Sequence, residues 1–363
     1  LALSLTSCAS VHLSTPTYPA LQHVAPVEVP DADFQSVSAS MLEFLEQYVP
    51  MTDGIETRAW NLSWAVTNRT ALPFEYEPNL TQTATQTFES RQGNCLSFSS
   101  MLVAMARNRG LKAWYQEVEI PPQWSNHQNT LLLTRHINVV VEGSRGQWVV
   151  DISGERAAVS RRVERISDAE ALAQYYNNLG ADALVDNQLA LAYAYISKAL
   201  RTAPGLAYLW SNLGVVFNRN GQQDDAVATY LHALGLESSS ATAANNLYLI
   251  YESAGKLEEA QKLLTKVERH RRKNPYYLYH LSELAFNEGH YKESRKMLEE
   301  AIQMNREEYR FHYGLARLLA TEGNLSEAQA SLDRALELAP ELDRHNNGWT
   351  DGVRVDALPP LPN

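Results

Sequence analysis

An α+β domain followed by an all-α array of helical repeats is the architecture that this 363-residue sequence predicts. Three observations lead there: the second half repeats itself every 34 residues, the first half mixes strand-type alternation with helical spacing of apolar residues, and a nearly uncharged Ser/Thr/Pro/Ala-rich stretch precedes both. The length suits two such parts, each able to bury a core. An apolar fraction of 45% with only 17 Gly and 15 Pro excludes collagen-like and disordered chains. A net charge of −11 disfavours a protein that grips nucleic-acid backbones, which needs a concentrated basic face. Two cysteines are too few for a disulfide scaffold or a four-thiolate zinc site.

The first cysteine closes the run Leu1-Ala2-Leu3-Ser4-Leu5-Thr6-Ser7-Cys8. Leu5, Thr6, Ser7 and Cys8 resemble a bacterial lipobox, in which small side chains admit the signal peptidase and the thiol takes a diacylglycerol. The first Lys or Arg is Arg58, so residues 1–8 read as the tail of a signal whose charged start lies upstream. Residues 9–30 suit a flexible tether, and no later stretch is long and apolar enough to cross a bilayer. The resemblance implies a lipid anchor at Cys8. Ala9, with no Asp in that place, implies release to the outer membrane with the body of the protein in the periplasm of a bacterial cell envelope.

Residues 31–172 read as the α+β domain. Phe34 to Tyr48 and Glu56 to Asn68 have helical spacing, punctuated by Pro50 and Pro73. Gly93-Asn94-Cys95 then leads into a strongly apolar helix that closes at Gly110, a suitable C′ residue. Ala113 to Ile120 alternates as a strand. His136 heads the run Ile137 to Val141, residues 142–146 form a hairpin connection, and Gln147 to Asp151 returns. Antiparallel pairing then sets His136 and Asp151 side by side at one end of the sheet. A cysteine at a helix start feels the positive end of the dipole, which favours the thiolate. Thiolate attack on an acyl carbon needs a base, and the base needs an acid to fix its tautomer. Cys95, His136 and Asp151 supply one of each.

The stretches around Gly93-Asn94-Cys95, Arg107 to Ala113, His136-Ile137-Asn138-Val139 and Trp148 to Asp151 resemble the transglutaminase-like core of papain-type thiol enzymes, over roughly residues 75–155. The resemblance implies Cys95 as nucleophile, His136 as general base and then acid, and Asp151 as the orienting carboxylate. The Cys95 backbone N–H, at a helix start, is a natural oxyanion donor. His127 has no partner at metal-ligand spacing, and no Gly-rich phosphate loop follows a strand, so neither a metal nor a nucleotide cofactor is expected.

In the second half, Trp210, Leu213, Gly214, Phe217, Gly221, Ala226, Tyr230 and Ala233 recur in kind at steps of 34, and five frames fill residues 173–342. Residue type and spacing repeat together, and they resemble the tetratricopeptide repeat. Each frame predicts two helices crossing at small residues, with a Gly in the turn of four frames and Asn187, which also tolerates the left-handed region, in the fifth. Stacked frames are expected to form a superhelix whose groove takes a peptide or a helix of a protein partner. Arg269 to Lys273 is read as a solvated basic loop between frames. Residues 343–363 form a tail outside the array.

The functional expectation is a lipid-anchored cysteine enzyme. It would carry out acyl transfer or hydrolysis on a peptide or side-chain amide, with the repeats recruiting a protein substrate or partner. The alternative is a non-enzymatic scaffold lipoprotein whose thiol domain only docks.

Overall fold

The computed structural model describes residues 17–118, 136–152, 163–272 and 274–339. Cys8, the lipobox, His127, Lys273 and the tail 343–363 lie outside the described residues, as do the side chains of Arg269, His270 and Arg271. The chain forms two compact units, with the division falling between Leu257 and Glu258.

The first unit opens with helices α1 (Ala39–Tyr48) and α2 (Ile55–Thr67). The first begins later than its apolar spacing suggests, because Ser38 caps it by accepting from Met41 N. Phe34 thus stays outside the helix and packs its ring against Tyr115 and Tyr175. Two short strands, β1 (Glu75–Tyr76) and β2 (Gln92–Gly93), pair in parallel on either side of α3 (Ala84–Ser90). Then comes α4 (Cys95–Asn108), buried from Leu96 to Ala106. Its C-terminus is closed as expected by Gly110 in the left-handed region, at φ +69°. Strands β3 (Lys112–Val118), β4 (His136–Glu142), β5 (Gln147–Val150) and β6 (Val163–Ile166) form an antiparallel sheet in the order β5-β4-β3-β6. Helix α4 packs on β3 and β4, which places its N-terminus beside the start of β4.

The repeats begin five residues before the first frame, at α5 (Asp168–Val185), whose start is fixed by a capping box between Ser167 and Glu170. Helices α6 (Leu189–Thr202), α7 (Ala207–Arg219), α8 (Gln223–Leu236) and α9 (Ala241–Ser253) follow, and α5 to α9 pack in sequence on one another. The small-residue crossings have a steric cause. A Cβ on Gly180 would sit 2.7 Å from Ile196, and one on Gly214 would sit 2.6 Å from the Tyr230 ring. The turn positions Gly221, Gly255, Gly289 and Gly323 all have φ between +70° and +81°, and Asn187 stands at +56° in the same role. Arg107, near the end of α4, donates to both carboxylate oxygens of Asp168 at 2.5 and 2.9 Å and so ties the α+β part to the first repeat helix.

The sequence suggests a flexible tether over residues 9–30, yet the described part takes another form. From Tyr18 to Ala32 the chain lies across α6 and the α7–α8 turn, held by hydrogen bonds and by the Tyr18 ring.

In the second unit, α10 (Leu257–Arg271) is followed by α11 (Pro275–Asn287), α12 (Tyr291–Met304), α13 (Tyr309–Thr321) and α14 (Leu325–Leu338). Leu278, Ala301 and Phe311 form one core there, and Tyr313, Ala316, Leu319, Ala328, Leu332 and Ala335 another. The fold is therefore helix-rich, with a small sheet region confined to the N-terminal part and a tetratricopeptide-like helical remainder. No described helix is long and apolar enough to cross a membrane.

Candidate functional site

Cys95 is the first residue of α4, and the turn that leads into it is held from several sides. Asn94 is the N-cap: its Oδ1 accepts from Ser97 N at 3.0 Å, and its Nδ2 donates to Thr81 Oγ1 at 2.8 Å. Such a cap contributes about 1 kcal/mol and fixes the direction of the first turn. Gly93 must be glycine. Its φ is +152°, and a Cβ there would lie 2.8 Å from Ser97 Cβ and 3.5 Å from Thr87. The segment before α3 runs alongside, with Glu77 N donating to Gly93 O at 3.1 Å and Asn94 N to Leu80 O at 2.9 Å. Ser97 Oγ accepts from Gln82 N at 2.8 Å. The cysteine loop is thus clamped on both sides, while Cys95 itself is a half-buried free thiol.

His136 opens β4 as expected, but the pairing differs in detail from a directly opposed His–Asp pair. The ladder matches Val139 with Val150 and Val140 with Val149, so continuing it sets Asp151 opposite Asn138, two residues beyond His136. Alternation in a strand places residues two apart on one face, so Asp151 reaches the imidazole along the diagonal. The contact is close, with His136 Nε2 and Asp151 Oδ2 separated by 2.6 Å and the two side chains only 6% and 15% exposed. The Cys95 thiol is a neighbour of the same ring and helps to hold its charge.

Burial pulls the His136 ring toward its neutral form. The hydrogen bonds and charges of Asp151 and Cys95 outweigh that pull and raise its pKa from 6.5 to about 10. The ring is therefore an imidazolium at neutral pH, a positive charge standing between a sulfur and a carboxylate. Chemically, the arrangement can hold a thiolate, supply a proton to a departing amine and take one back from an incoming nucleophile.

All three expected residues, Cys95, His136 and Asp151, come together. Two neighbours escape a reading based on the reacting groups alone. Asn94 acts as the cap, and an Asn directly before a helical apolar run is a readable signal for it. Asn138 is only 1% exposed, and its amide Oδ1 and Nδ2 make no hydrogen bond; a polar residue inside a strand carries no such signal.

A thiol, an imidazole and a carboxylate thus converge at the head of a buried helix, on an antiparallel sheet joined to helix pairs. Comparison with known families agrees with both halves. Residues 56–150 match the transglutaminase-like superfamily, a span that includes Cys95 and His136 and ends one residue before Asp151. Residues 285–345 match the tetratricopeptide repeat. The chain therefore contains a transglutaminase-like domain and a tetratricopeptide repeat. Among solved structures, MamA (residues 41 to the end) from Desulfovibrio magneticus RS-1 is 16% identical, covering 49% of this chain and 98% of its own, with a TM-score of 0.31. BtubC from P. vanneervenii is 19% identical, covering 54% and 89%, with a TM-score of 0.34. No curated protein matches the chain.

Proposed function

We propose that the chain is a transglutaminase-like cysteine enzyme that acts on a peptide or side-chain amide through a thioester at Cys95, with its helical repeats recruiting the protein substrate. The observation that carries this reading is the 2.6 Å His136–Asp151 contact beside a half-buried thiol at a helix start. A buried charge is costly even when paired, and a titratable group this strongly perturbed, set between a carboxylate and a thiol, is of the kind that clusters at functional sites.

In the first half-reaction Cys95 Sγ, as thiolate, forms a bond to the amide carbon. The carbonyl oxygen takes the electron pair and is met by the Cys95 backbone N–H at the positive end of α4. Collapse breaks the C–N bond, and the nitrogen leaves with the proton of His136 Nδ1, so the products are a thioester, a free amine or ammonia, and a neutral imidazole. Asp151 holds Nε2 throughout and fixes the tautomer. In the second half-reaction neutral His136 takes a proton from water or from an amine as that nucleophile attacks the thioester carbon, and the thiolate departs. Water gives a carboxylic acid, which is hydrolysis or deamidation. An amine gives a new amide, which is transfer. Hydrolysis is the outcome the half-open position of Cys95 favours, since solvent reaches the thioester.

We place the protein, on the lipobox pattern at Cys8, in the bacterial cell envelope as a lipid-anchored component whose body faces the periplasm. The test of the chemistry is acylation itself. Mixing the protein with an acyl nitrophenyl ester should release a burst of about one nitrophenol per chain, with the acyl mass found on the Cys95 peptide. Equal release from wild type and Cys95→Ala would remove the enzyme reading. If the burst occurs, adding a primary amine and weighing acid against amide product then separates hydrolysis from transfer.

A further inference from the structure

The segment Tyr18–Asp31 is seated on the first two helix pairs in a way that describes a binding site. Tyr18 inserts its ring edge-on between Tyr193 and Trp210, with centroids 6.2 and 5.9 Å away, and its hydroxyl donates to Ser197 O at 3.0 Å. Beyond it the face reads main chain. Tyr193 OH donates to Pro19 O at 3.0 Å, Gln222 Nε2 to Ala20 O at 3.2 Å, and Asn220 Nδ2 to Gln22 O at 2.9 Å. Gln222 Oε1 accepts from Gln22 N at 2.9 Å, which makes Gln222 a two-way clamp on the passing backbone. At the far end Lys198 Nζ donates to Val29 O at 2.9 Å and pairs with Asp31 at 2.7 Å, where Arg201 adds positive charge.

These contacts have three consequences. The recognition is mostly of backbone carbonyls and one N–H, so it tolerates many side chains between its ends. Its selectivity rests mainly on the aromatic hydroxyl at the head, set between two aromatic rings, while the solvent-exposed acid at the tail pairs with Lys198 near Arg201 and adds orientation more than affinity. The occupant is weakly sequestered: every residue from 17 to 31 is exposed or half-buried, and His23 takes a left-handed φ of +60°, a conformation unfavourable for a non-glycine residue. A segment that lies on a surface through directed hydrogen bonds, with a strained turn and no buried anchor of its own, is exchangeable.

We propose that the face made by α6, Trp210 and the α7–α8 turn is a docking site for an extended partner segment led by tyrosine and ended by an acidic residue, and that residues 18–31 hold this site in cis. Occupancy in cis corresponds to an effective concentration on the order of millimolar, so a partner binds well only when the strap is released. Binding at this face can be measured whether or not Cys95 turns over.

The test uses the full chain and a fluorescein-labelled peptide with the sequence of residues 18–31, read by fluorescence anisotropy. The Tyr18→Ala chain, with its own strap loosened, should bind the peptide at least tenfold more tightly than wild type. Gln22→Pro, which deletes the N–H that Gln222 accepts and leaves the face untouched, should do the same and serves if Tyr18→Ala folds poorly. Adding Gln222→Ala to either should weaken binding at least fivefold, and a peptide with alanine in place of tyrosine should fail to bind. Equal binding to wild type and both loosened chains, or binding indifferent to Gln222→Ala, would overturn the proposal and leave the strap as simple packing.

Discussion

Replacing Asp151 by asparagine keeps the size of the His136 partner and removes its charge, which isolates the electrostatic role of the carboxylate. The 2.6 Å contact joins side chains 6% and 15% exposed, so solvent screens it little. A hydrogen bond to a charged partner in such a place contributes about 1.5–3 kcal/mol, and at about 1.4 kcal/mol per factor of ten its loss corresponds to roughly 10- to 150-fold. The effect should appear where the imidazolium matters. In the wild type Asp151 and Cys95 hold His136 protonated up to about pH 10, against the pull of burial. In Asp151→Asn burial gains weight, the ring discharges at lower pH, and the sulfur loses the positive charge beside it. The assay is the second-order rate of Cys95 alkylation by iodoacetamide between pH 6 and 10, in a Cys8→Ser background that leaves Cys95 as the lone thiol. Near pH 7 the Asp151→Asn chain should react roughly 10- to 150-fold more slowly, and the gap should close toward pH 10, where the wild-type ring is itself discharging. A ratio that stays constant with pH, or that is within twofold at pH 7, would refute a role for Asp151 in holding that charge.

The same imidazolium has a consequence for stability. Because the folded pKa lies above the unfolded 6.5, the His136 contribution is fully present below pH 6.5 and is lost as pH rises through about 10; urea unfolding at pH 6 and pH 10 should show a loss on the order of 4 kcal/mol that is absent from His136→Gln. Gly93→Ala should destabilise the chain by about 1–3 kcal/mol and slow alkylation of Cys95, since the added Cβ meets Ser97 and forces the helix start to shift; thermal melts and alkylation rates check both. Gly214→Ala, aimed at the Tyr230 ring 2.6 Å away, should cost about the same in a melt while leaving Cys95 alkylation unchanged. Mass spectrometry of the mature protein should find a chain beginning at a lipid-modified Cys8, and an unmodified Cys8 still preceded by Leu1 to Ser7 would sink the anchor.

Legibility in the sequence follows the range of the interaction. The repeat positions can be read one by one, because each has a local steric cause that recurs with the frame: Gly214 under Tyr230, Gly221 with φ +78°, Asn187 standing in where glycine is absent. The triad can be read because a hairpin of known length brings its ends together whatever lies between. What cannot be read is the register, which sets Asp151 opposite Asn138 and turns a direct pair into a diagonal one. Strand β6 escapes a sequence reading for a related reason. Its residues Val163–Ile166 are exposed apart from Ile166, so it lacks the alternation of a half-buried strand and is defined by pairing to β3 alone. The seating of Tyr18–Asp31 is long-range in the strictest sense, with partners some 170 to 200 residues away, and composition points instead to a free tether.

Helix α4 joins these parts into one device. Its first residue is Cys95, and near its last turn Arg107 grips Asp168 in the first turn of α5 while donating to Ala113 O at 3.0 Å. The Arg107 and Asp168 side chains are 37% and 51% exposed, so their attraction alone adds little stability. Its value is geometric: two parallel N–H···O bonds fix an orientation that a single contact leaves free. A buried helix of 14 residues is a rod about 20 Å long that does not bend to absorb a shift at one end. The Cys95 sulfur and the first repeat pair are thereby positioned by opposite ends of the same rigid element. On the functions proposed above, a segment captured on α6 and the α7–α8 turn would be held in a fixed relation to Cys95, which a hinged linker between the two parts would not give. That relation is what a recruiting array needs if it is to present substrate rather than merely retain it.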